Sequence, residues 1–278
     1  MTMIRRKRKQ VVPGFGISMG VTLTLLSLIV LIPMASLVLN ASAMGLHTFW
    51  STVTDKRILS GYLVSFSCAL TAAIINGVFG VILAWVLVRY EFPFKRFVDG
   101  LIELPFALPT AVAGIALTTL YSDKGMLGKL LGIWGIKVSY TRLGIIVAMV
   151  FIGIPFVVRT IQPVLEDLDP QYEEAAGVLG ASKSRIFFRV VFPEIRPALL
   201  TGFGLAFARA VGEYGSVVFI AGNIPFKTEI APLLIMSKLE QFNYDGANAI
   251  ALVMLAVSFI ILFAINSVQV YANKFTRE

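Results

Sequence analysis

The sequence contains one cysteine, Cys68, and one histidine, His47, among 278 residues. A single cysteine excludes an intrachain disulfide and a cysteine-based metal site. The lone histidine is better explained as a loop residue near a membrane interface than as a metal ligand. Charged residues are also scarce, at 14% of the chain against about a quarter in soluble domains. These shortages argue against metal chemistry and against an ordinary soluble domain.

The sequence also lacks a phosphate-binding loop for ATP. Such a loop needs two glycines separated by four residues and followed by Lys and Ser or Thr, so that backbone amides surround the phosphates. The only Gly-Lys pair, Gly128-Lys129, is followed by Leu130 and has Asp123 in place of the first glycine. Intramembrane proteolysis is the main enzymatic alternative, but the apolar segments hold no histidine and no aspartate for its catalytic centre. We therefore expect no catalytic residue, no metal and no cofactor in this chain.

Apolar residues make up 57% of the chain and are concentrated in runs long enough to cross a bilayer. The first run follows the basic segment Arg5–Lys9, but it is too long for a signal peptide and lacks a cleavage site, so we interpret it as a retained helix. Glu103, Pro105 and Pro109 interrupt the third run, which predicts a helix facing the protein interior. The sequence predicts an all-α integral membrane protein with six transmembrane helices, at about 16–39, 61–88, 101–120, 143–162, 198–222 and 249–270.

Lys and Arg residues are unevenly distributed between the connections. Most fall on the side of the N-terminus, which predicts that both termini are cytoplasmic. The same bias accounts for the formal net charge of +8, so no nucleic-acid partner is expected. The prediction divides the chain into four parts: a basic cytoplasmic tail, a first helix with its outer loop, a core domain and a cytoplasmic tail, at 1–15, 16–60, 61–270 and 271–278.

The longest connection on the predicted cytoplasmic side, about 163–197, has the features of a structured segment. Asp169-Pro170 is typical of a helix start, and Gly180 can adopt the left-handed conformation that ends a helix. Ser182 can cap a second short helix reaching about Arg189. The loop is tethered to the bilayer at both ends, so a DNA-binding helix-turn-helix is a poor explanation. The alternatives left open are a docking site for a soluble partner and a loop that packs beneath its own bundle.

The sequence of this loop resembles the signature of permeases in bacterial ATP-binding-cassette importers. That signature is Glu-Ala-Ala, three residues, Gly, nine residues and Ile-x-Leu-Pro; here Val190 replaces Ile and Phe192 replaces Leu. The resemblance implies that the Gly180 turn and the second helix enter a groove on a cytoplasmic ATPase, with Glu174 and Arg185 as polar contacts. The residues predicted to couple the chain to the ATPase are Glu174, Ala175, Ala176, Gly180, Ser182, Arg185 and Pro193.

Two further motifs, Leu104–Thr110 and Phe207–Ser216 with its continuation to Pro225, resemble the sulfate and molybdate permease group. With Pro13–Gly16 and full-length agreement, the chain is similar to the T-type permeases of sulfate/thiosulfate importers. The resemblance implies a type-I importer fold in the bacterial inner membrane, a second homologous permease subunit, a cytoplasmic ATPase dimer that binds ATP and Mg, and a periplasmic sulfate/thiosulfate-binding protein. Molybdate or tungstate is the alternative cargo. A self-sufficient channel, a secondary transporter or a scaffold is the more remote alternative.

Three charged residues, Glu103, Arg209 and Glu213, lie inside the predicted spans, where each costs about 2.5–3.5 kcal/mol at a helix centre unless it finds a partner. Arg209 and Glu213 are four residues apart and can pair, although Glu103 is an alternative partner for Arg209. Such a pair is either a gate in the translocation pathway or a structural ion pair. Small residues at a spacing of four predict a helix-packing face at Gly204, Ala208, Gly212 and Ser216.

Overall fold

The described chain is helical throughout, with no strand between residues 15 and 274. The computed structural model describes the backbone of residues 15–274 and the side chains of residues 15–269. The predicted tails at 1–15 and 271–278 therefore lie largely outside the described residues, as does the basic segment Arg5–Lys9. The all-α prediction is confirmed for the part of the chain that the structure describes.

The helices are numbered α1 to α14 in chain order. Two short π-helical turns, Ser27–Leu31 and Phe187–Val191, join α1 to α2 and α10 to α11. The helices are α1 Phe15–Leu26, α2 Ile32–Ala43, α3 Leu46–Val53, α4 Lys56–Arg89, α5 Lys95–Ala107, α6 Thr110–Tyr121, α7 Met126–Gly132, α8 Arg142–Asp167, α9 Gln171–Val178, α10 Lys183–Ile186, α11 Phe192–Val211, α12 Val217–Ile220, α13 Ala231–Glu240 and α14 Tyr244–Lys274.

Five helical segments are long and apolar enough to cross a membrane, and a bent helix pair raises the number to six within the described residues. The five segments are Phe15–Ala43, Lys56–Arg89, Arg142–Asp167, Lys183–Val211 and Tyr244–Gln269. The pair is α5 and α6, between which the helical axis bends by 115°. Leu108 and Pro109 are extended at the corner because proline lacks an N–H and disfavours helix at the residue before it. The third predicted span is therefore broken rather than continuous.

The core of the bundle is formed where α4, α8 and α11 pack along one another. Buried residues form two large clusters on these helices. We call them the loop-side cluster, which includes Leu87 and Leu165 near the 163–197 connection, and the distal cluster, which includes Val64 and Phe207. Glycines permit the close approach: a side-chain carbon on Gly80 would lie 2.5 Å from Val157 Cγ1. Because both clusters are apolar and tightly packed, the three helices form the packed core of the fold.

Asn76 lies between the two clusters, on the buried face of α4. Its side chain is 1% exposed, and neither amide atom has a hydrogen-bond partner in the chain. Gly153 of α8 leaves room for the amide, since a side-chain carbon at Gly153 would lie 2.2 Å from Asn76 Nδ2. A polar group buried without a partner is uncommon and costs about 1–3 kcal/mol. No motif in the sequence singled out Asn76.

The distal end of the bundle is held together by polar contacts between α4 and the segment before α13. Arg57 donates from Nε and Nη2 to the two oxygens of Glu229, at 2.7 and 2.6 Å. Ser60 donates to the Phe226 carbonyl at 3.1 Å. The Glu229 side chain is buried, so its charge depends on this paired guanidinium. These contacts fix the loop that follows α12 against the start of α4.

Candidate functional site

The predicted helix–glycine–helix of the 163–197 connection is present. Asp169 Oδ1 accepts the Gln171 N–H at 2.9 Å at the start of α9, and Gly180 ends the turn with φ +81°. Ser182 Oγ accepts the Arg185 N–H at 3.4 Å and caps α10. These features are local, so a short stretch of sequence is sufficient to specify them. We call residues 169–186 the coupling loop.

The second helix does not stop near Arg189. It continues through the π-helical turn into α11, so that Lys183–Val211 is one uninterrupted helical segment. Pro193 lies in the first turn of α11 and Pro197 inside it, so neither proline marks a separate return to the membrane. The wider π turn accommodates the missing proline N–H. The helix that contains the predicted fifth span therefore begins at Lys183 and ends at Val211 rather than near 222, and the coupling loop is directly continuous with it.

An apolar tip projects from the coupling loop beside Gly180. Val178 and Leu179 are 89% and 88% exposed, more than any other large apolar side chain among the described residues. The predicted polar contacts Glu174 and Arg185 are also exposed, on either side of this tip. Exposed apolar residues framed by charges are typical of a protein interaction site. Sequence reasoning assigned no role to Val178 or Leu179 because each one alone looks like an ordinary helix residue.

The base of the coupling loop is attached to the end of α4 by Arg89. Its guanidinium donates to Glu173 Oε1 at 3.0 Å and to the Leu168 carbonyl at 3.0 Å. It also lies over the Trp85 ring, at 6.0 Å from the centroid, and Trp85 packs edge-on against Phe187 at 5.4 Å. Sequence reasoning used Arg89 only as one positive charge in the topology argument. The structure shows that it joins a core helix to the end of α8 and to the first turn of α9.

Arg209 and Glu213 form the predicted ion pair, with Arg209 Nη1 at 2.5 Å from Glu213 Oε2. The other carboxylate oxygen accepts the Ser216 N–H at 2.8 Å and the Ser216 hydroxyl at 2.9 Å. The Glu213 side chain is 2% exposed, whereas Arg209 is 34% exposed. Both carboxylate oxygens therefore have partners close in sequence, and Glu213 closes the turn that follows α11.

The predicted packing face of small residues is wrong beyond Ala208. Helix α11 ends at Val211, so Ser216 does not lie on the same face as Gly204. Gly204 packs against α14, since a side-chain carbon on Gly204 would lie 3.5 Å from Ile265 Cγ2. Gly212, by contrast, is exposed. The spacing of four continued in the sequence after the helix itself had ended. Ser216 instead serves as the hydrogen-bond partner of Glu213.

The break after α11 packs directly on the break between α5 and α6. A side-chain carbon on Gly215 would lie 2.1 Å from Thr110 Oγ1, and one on Gly114 would lie 2.5 Å from the Ser216 carbonyl oxygen. The two motifs that carry the resemblance to sulfate and molybdate permeases therefore meet in space. Non-helical backbone inside a membrane is tolerated where it is buried in protein or lines a water-filled cavity. We take this contact, which we call the double break, as the candidate pathway element.

Glu103 does not approach Arg209. It pairs with Arg159 of α8 at 2.8 Å, and Arg159 also contacts Asp99 Oδ1 at 2.7 Å. The prediction that Glu103 is an alternative partner of Arg209 is therefore wrong. The Glu103 side chain is 59% exposed in the single chain, so it does not point into this chain's interior either. The three residues instead attach α5 to α8 near the coupling loop.

The part of the chain that the structure describes has no group of His, Cys, Asp and Glu that could hold a metal ion.

Comparison with known proteins gives matches along nearly the whole chain. Residues 76–278 match the family model described as binding-protein-dependent transport system inner membrane component. The chain is 49% identical over 267 residues to the sulfate transport system permease protein CysT of Salmonella typhimurium, covering 96% of each protein. It is 49% identical over 258 residues to the protein of the same name in Synechocystis, covering 93% of this chain and 90% of the relative.

Solved structures show a similar fold. A bacterial ABC transporter involved in the import of the acidic polysaccharide alginate has a chain with TM-score 0.77 and 14% identity, covering 92% of this chain and 95% of that one. A bacterial alginate ABC transporter in complex with an alginate pentasaccharide-bound periplasmic protein gives TM-score 0.73 and 18% identity, covering 90% and 92%. At these identities the likeness concerns the fold alone.

Proposed function

Because this chain belongs to the family of binding-protein-dependent transport system inner membrane components, we propose that it is the permease subunit of an ATP-driven sulfate importer. It is a multi-pass inner membrane protein with the all-α fold of type-I importer permeases. The observation that carries the cargo assignment is the 49% identity to a sulfate transport system permease protein over 96% of both chains. Thiosulfate, which has the same charge and a similar shape, is expected to share the pathway.

The energy for transport comes from a separate chain in this proposal. A cytoplasmic ATPase dimer binds ATP and Mg, a second homologous permease completes the membrane unit, and a periplasmic protein delivers the anion. The coupling loop supports the first of these partners, since Val178 and Leu179 form an exposed apolar tip between Glu174 and Arg185. An apolar tip with a charged rim has the composition of a site for a protein partner.

The proposed mechanism follows the continuity of the chain from the loop to the membrane. A movement of the ATPase displaces the coupling loop, and the unbroken segment Lys183–Val211 carries the displacement to the Glu213 turn. That turn packs on Thr110 at the corner between α5 and α6, so the double break shifts between two arrangements. The result is alternating access, in which the pathway opens to one side of the membrane at a time. Arg209 and Glu213 act as a structural pair that holds the turn in shape.

Uptake by the reconstituted importer tests the proposal. Proteoliposomes containing this chain with its permease, ATPase and binding-protein partners should accumulate labelled sulfate only when ATP is present on the ATPase side. An excess of unlabelled thiosulfate should suppress the uptake of labelled sulfate. The same excess of molybdate should not. If molybdate competes as well as sulfate, the chain serves a molybdate or tungstate importer instead. Uptake that continues without ATP or without the ATPase would identify a channel or secondary transporter.

A further inference from the structure

An apolar groove runs along the surface of the bundle, between α4, α14 and the short helix α3. It encloses about 690 Å³, and Phe207 forms part of its floor. Trp50 lies at its rim, and the α4 side is formed by residues that include Leu59, Leu63 and Leu70. The lining is almost wholly apolar. None of these residues takes part in the coupling loop or the double break.

A basic residue stands in line with this groove on α4. Lys56, Leu59, Leu63, Ser67 and Leu70 follow one another at spacings of three and four and are all exposed, so they share one face of the helix. Lys56 is at the distal end of this line and makes no ion pair with any residue that the structure describes. The neighbouring Arg57 is already neutralised by Glu229. Among the described residues, Lys56 is thus an unpaired cation at the end of the exposed apolar face of α4.

The length of the line matches one leaflet of a bilayer. Fourteen residues separate Lys56 from Leu70, which is about 21 Å along a helix at about 1.5 Å per residue. Half of a bilayer measures about 20–22 Å from the headgroups to the midplane. Trp50 at the rim is the type of residue that occurs at the boundary between headgroups and hydrocarbon. Lys56 therefore lies at headgroup level when the apolar part of the groove lies in the hydrocarbon.

We propose that this groove is a binding site for one anionic phospholipid. An acyl chain occupies the groove along Leu59, Leu63 and Leu70. The phosphate contacts the ammonium of Lys56, which does not line the groove but is exposed on the same face of α4. The site is independent of the cargo, because neither the coupling loop nor the double break contributes to it. Bound lipid fills a cleft between α4 and α14 and so stabilises the packing of the last helix on the core. The transmembrane helix of a second permease subunit is the competing occupant.

Photocrosslinking of the assembled importer in nanodiscs tests the site. The probe is phosphatidylglycerol with a diazirine in one acyl chain, present at a low fraction in phosphatidylcholine. Crosslinks should concentrate on Leu63 and Leu70, relative to Phe263, which is exposed on α14 but does not line the groove. Lys56→Ala should lower groove labelling by the phosphatidylglycerol probe about fivefold, the factor for one lysine near anionic lipid. The matched phosphatidylcholine probe should show no such change.

Two variants separate this site from general contact with lipid. Ser67→Phe fills the groove and should abolish labelling of Leu70 by either probe, while Lys129→Ala, an exposed lysine on α7, should change nothing. Equal labelling of Leu63 and Phe263 with both probes would show ordinary surrounding lipid and overturn the proposal. Labelling of Phe263 without any labelling of the groove residues would show that a protein segment covers the groove. That result would also overturn the proposal.

Discussion

The Arg89 guanidinium contacts the Glu173 carboxylate at 2.8 Å and so joins the end of a core helix to the first turn of the coupling loop. Both side chains are mostly buried, at 16% and 20% exposure. The same guanidinium also donates a hydrogen bond to the carbonyl of Leu168, the residue where α8 ends. One side chain thereby fixes the position of α9 relative to two membrane helices.

Arg89→Ala should leave the importer assembled but uncouple it. The loop loses its attachment at a cost of about 1–3 kcal/mol, between the values for exposed and buried pairs. We expect ATP hydrolysis that no longer responds to the loaded binding protein, with sulfate uptake reduced about 5- to 150-fold when that cost falls on coupling. Lys95→Ala is the control, since its partner Glu91 is almost fully exposed. Normal stimulation in Arg89→Ala would contradict the role of this contact.

Gly180 should tolerate substitution in the order Asn, Ala, Val. Its φ of +81° is accessible to asparagine at small cost, while other residues lose about 1–2 kcal/mol and a β-branched side chain loses most. No neighbouring atom lies within 4 Å of a side-chain carbon there, so the effect is one of backbone conformation alone. The measurement is ATPase stimulation by binding protein across the three variants.

The matched control for this series is Gly177→Ala, three residues earlier in α9. Gly177 also has open space around it and is helical with negative φ. Alanine is favoured over glycine inside a helix by about 0.5–1 kcal/mol, so coupling should be unchanged. If Gly177→Ala were as damaging as Gly180→Val, crowding at a partner surface would explain both and the conformational argument would fail.

Removing Arg209 should destabilise the permease strongly, because the buried Glu213 side chain then loses its cationic partner. The loss is about 3–5 kcal/mol in buried pairs of soluble proteins. Glu213→Gln in the Arg209→Ala background should restore most of the assembly, since the amide oxygen still accepts from Ser216. Glu213→Ala should restore less, because it also removes the Ser216 contacts. The melting temperature of the purified complex ranks the single variant and the two double variants by stability. Equal melting temperatures for the two double variants would exclude a capping role for Glu213.

Gly153→Ala should be damaging only while Asn76 is present. The added methyl carbon would lie 2.2 Å from Asn76 Nδ2, too close for any real contact, although the amide end can rotate away. We expect a loss of about 1–3 kcal/mol, the usual range for overpacking. Asn76→Ala should remove the clash, so the double variant should be more stable than Gly153→Ala alone. A double variant with additive losses would mean that the two residues do not compete for space.

The orientation of the chain in the membrane can be measured directly. With the buried Cys68 changed to Ala, cysteines at Ser182 and Lys56 should react with an impermeant maleimide from opposite sides of the membrane. Ser182 is expected on the cytoplasmic side, since most Lys and Arg residues accompany the N-terminus there. Labelling of Ser182 from the periplasm would reverse the proposed orientation.

Local features of the fold could be predicted from the sequence, and contacts between distant segments could not. Gly180 and Ser182 were placed correctly because a helix cap depends on a few adjacent residues. Pro109 signalled an interruption of the third span, but the angle of 115° depends on how α6 packs. The prediction that Ser216 belongs to the packing face was wrong, because the spacing of small residues does not reveal where a helix ends.

The pairing of charged residues shows the same limit. Arg209 and Glu213 are near in sequence, and their contact was predicted. Arg159 and Glu103 are separated by two helices, so nothing in the sequence distinguishes that pair from Arg209 with Glu103. Asn76 was missed because a single polar residue in an apolar helix has no pattern. Its position between the two clusters emerges only when α4, α8 and α11 are packed.

The unbroken helix from Lys183 to Val211 behaves as a lever. Its 29 residues span about 44 Å, with the coupling loop at one end and the Glu213 turn at the other. If the core contacts near its midpoint act as a fulcrum, a rotation of about 5° moves each end by about 2 Å in opposite directions, by the geometry of a rod of this length. Gly215 packs against Thr110 so closely that a side-chain carbon on Gly215 would lie 2.1 Å from Thr110 Oγ1, so a shift of that size would alter the contact at the double break. In the proposed mechanism, a small push at the loop therefore changes the contact between the two interrupted helices at the other end of the same segment.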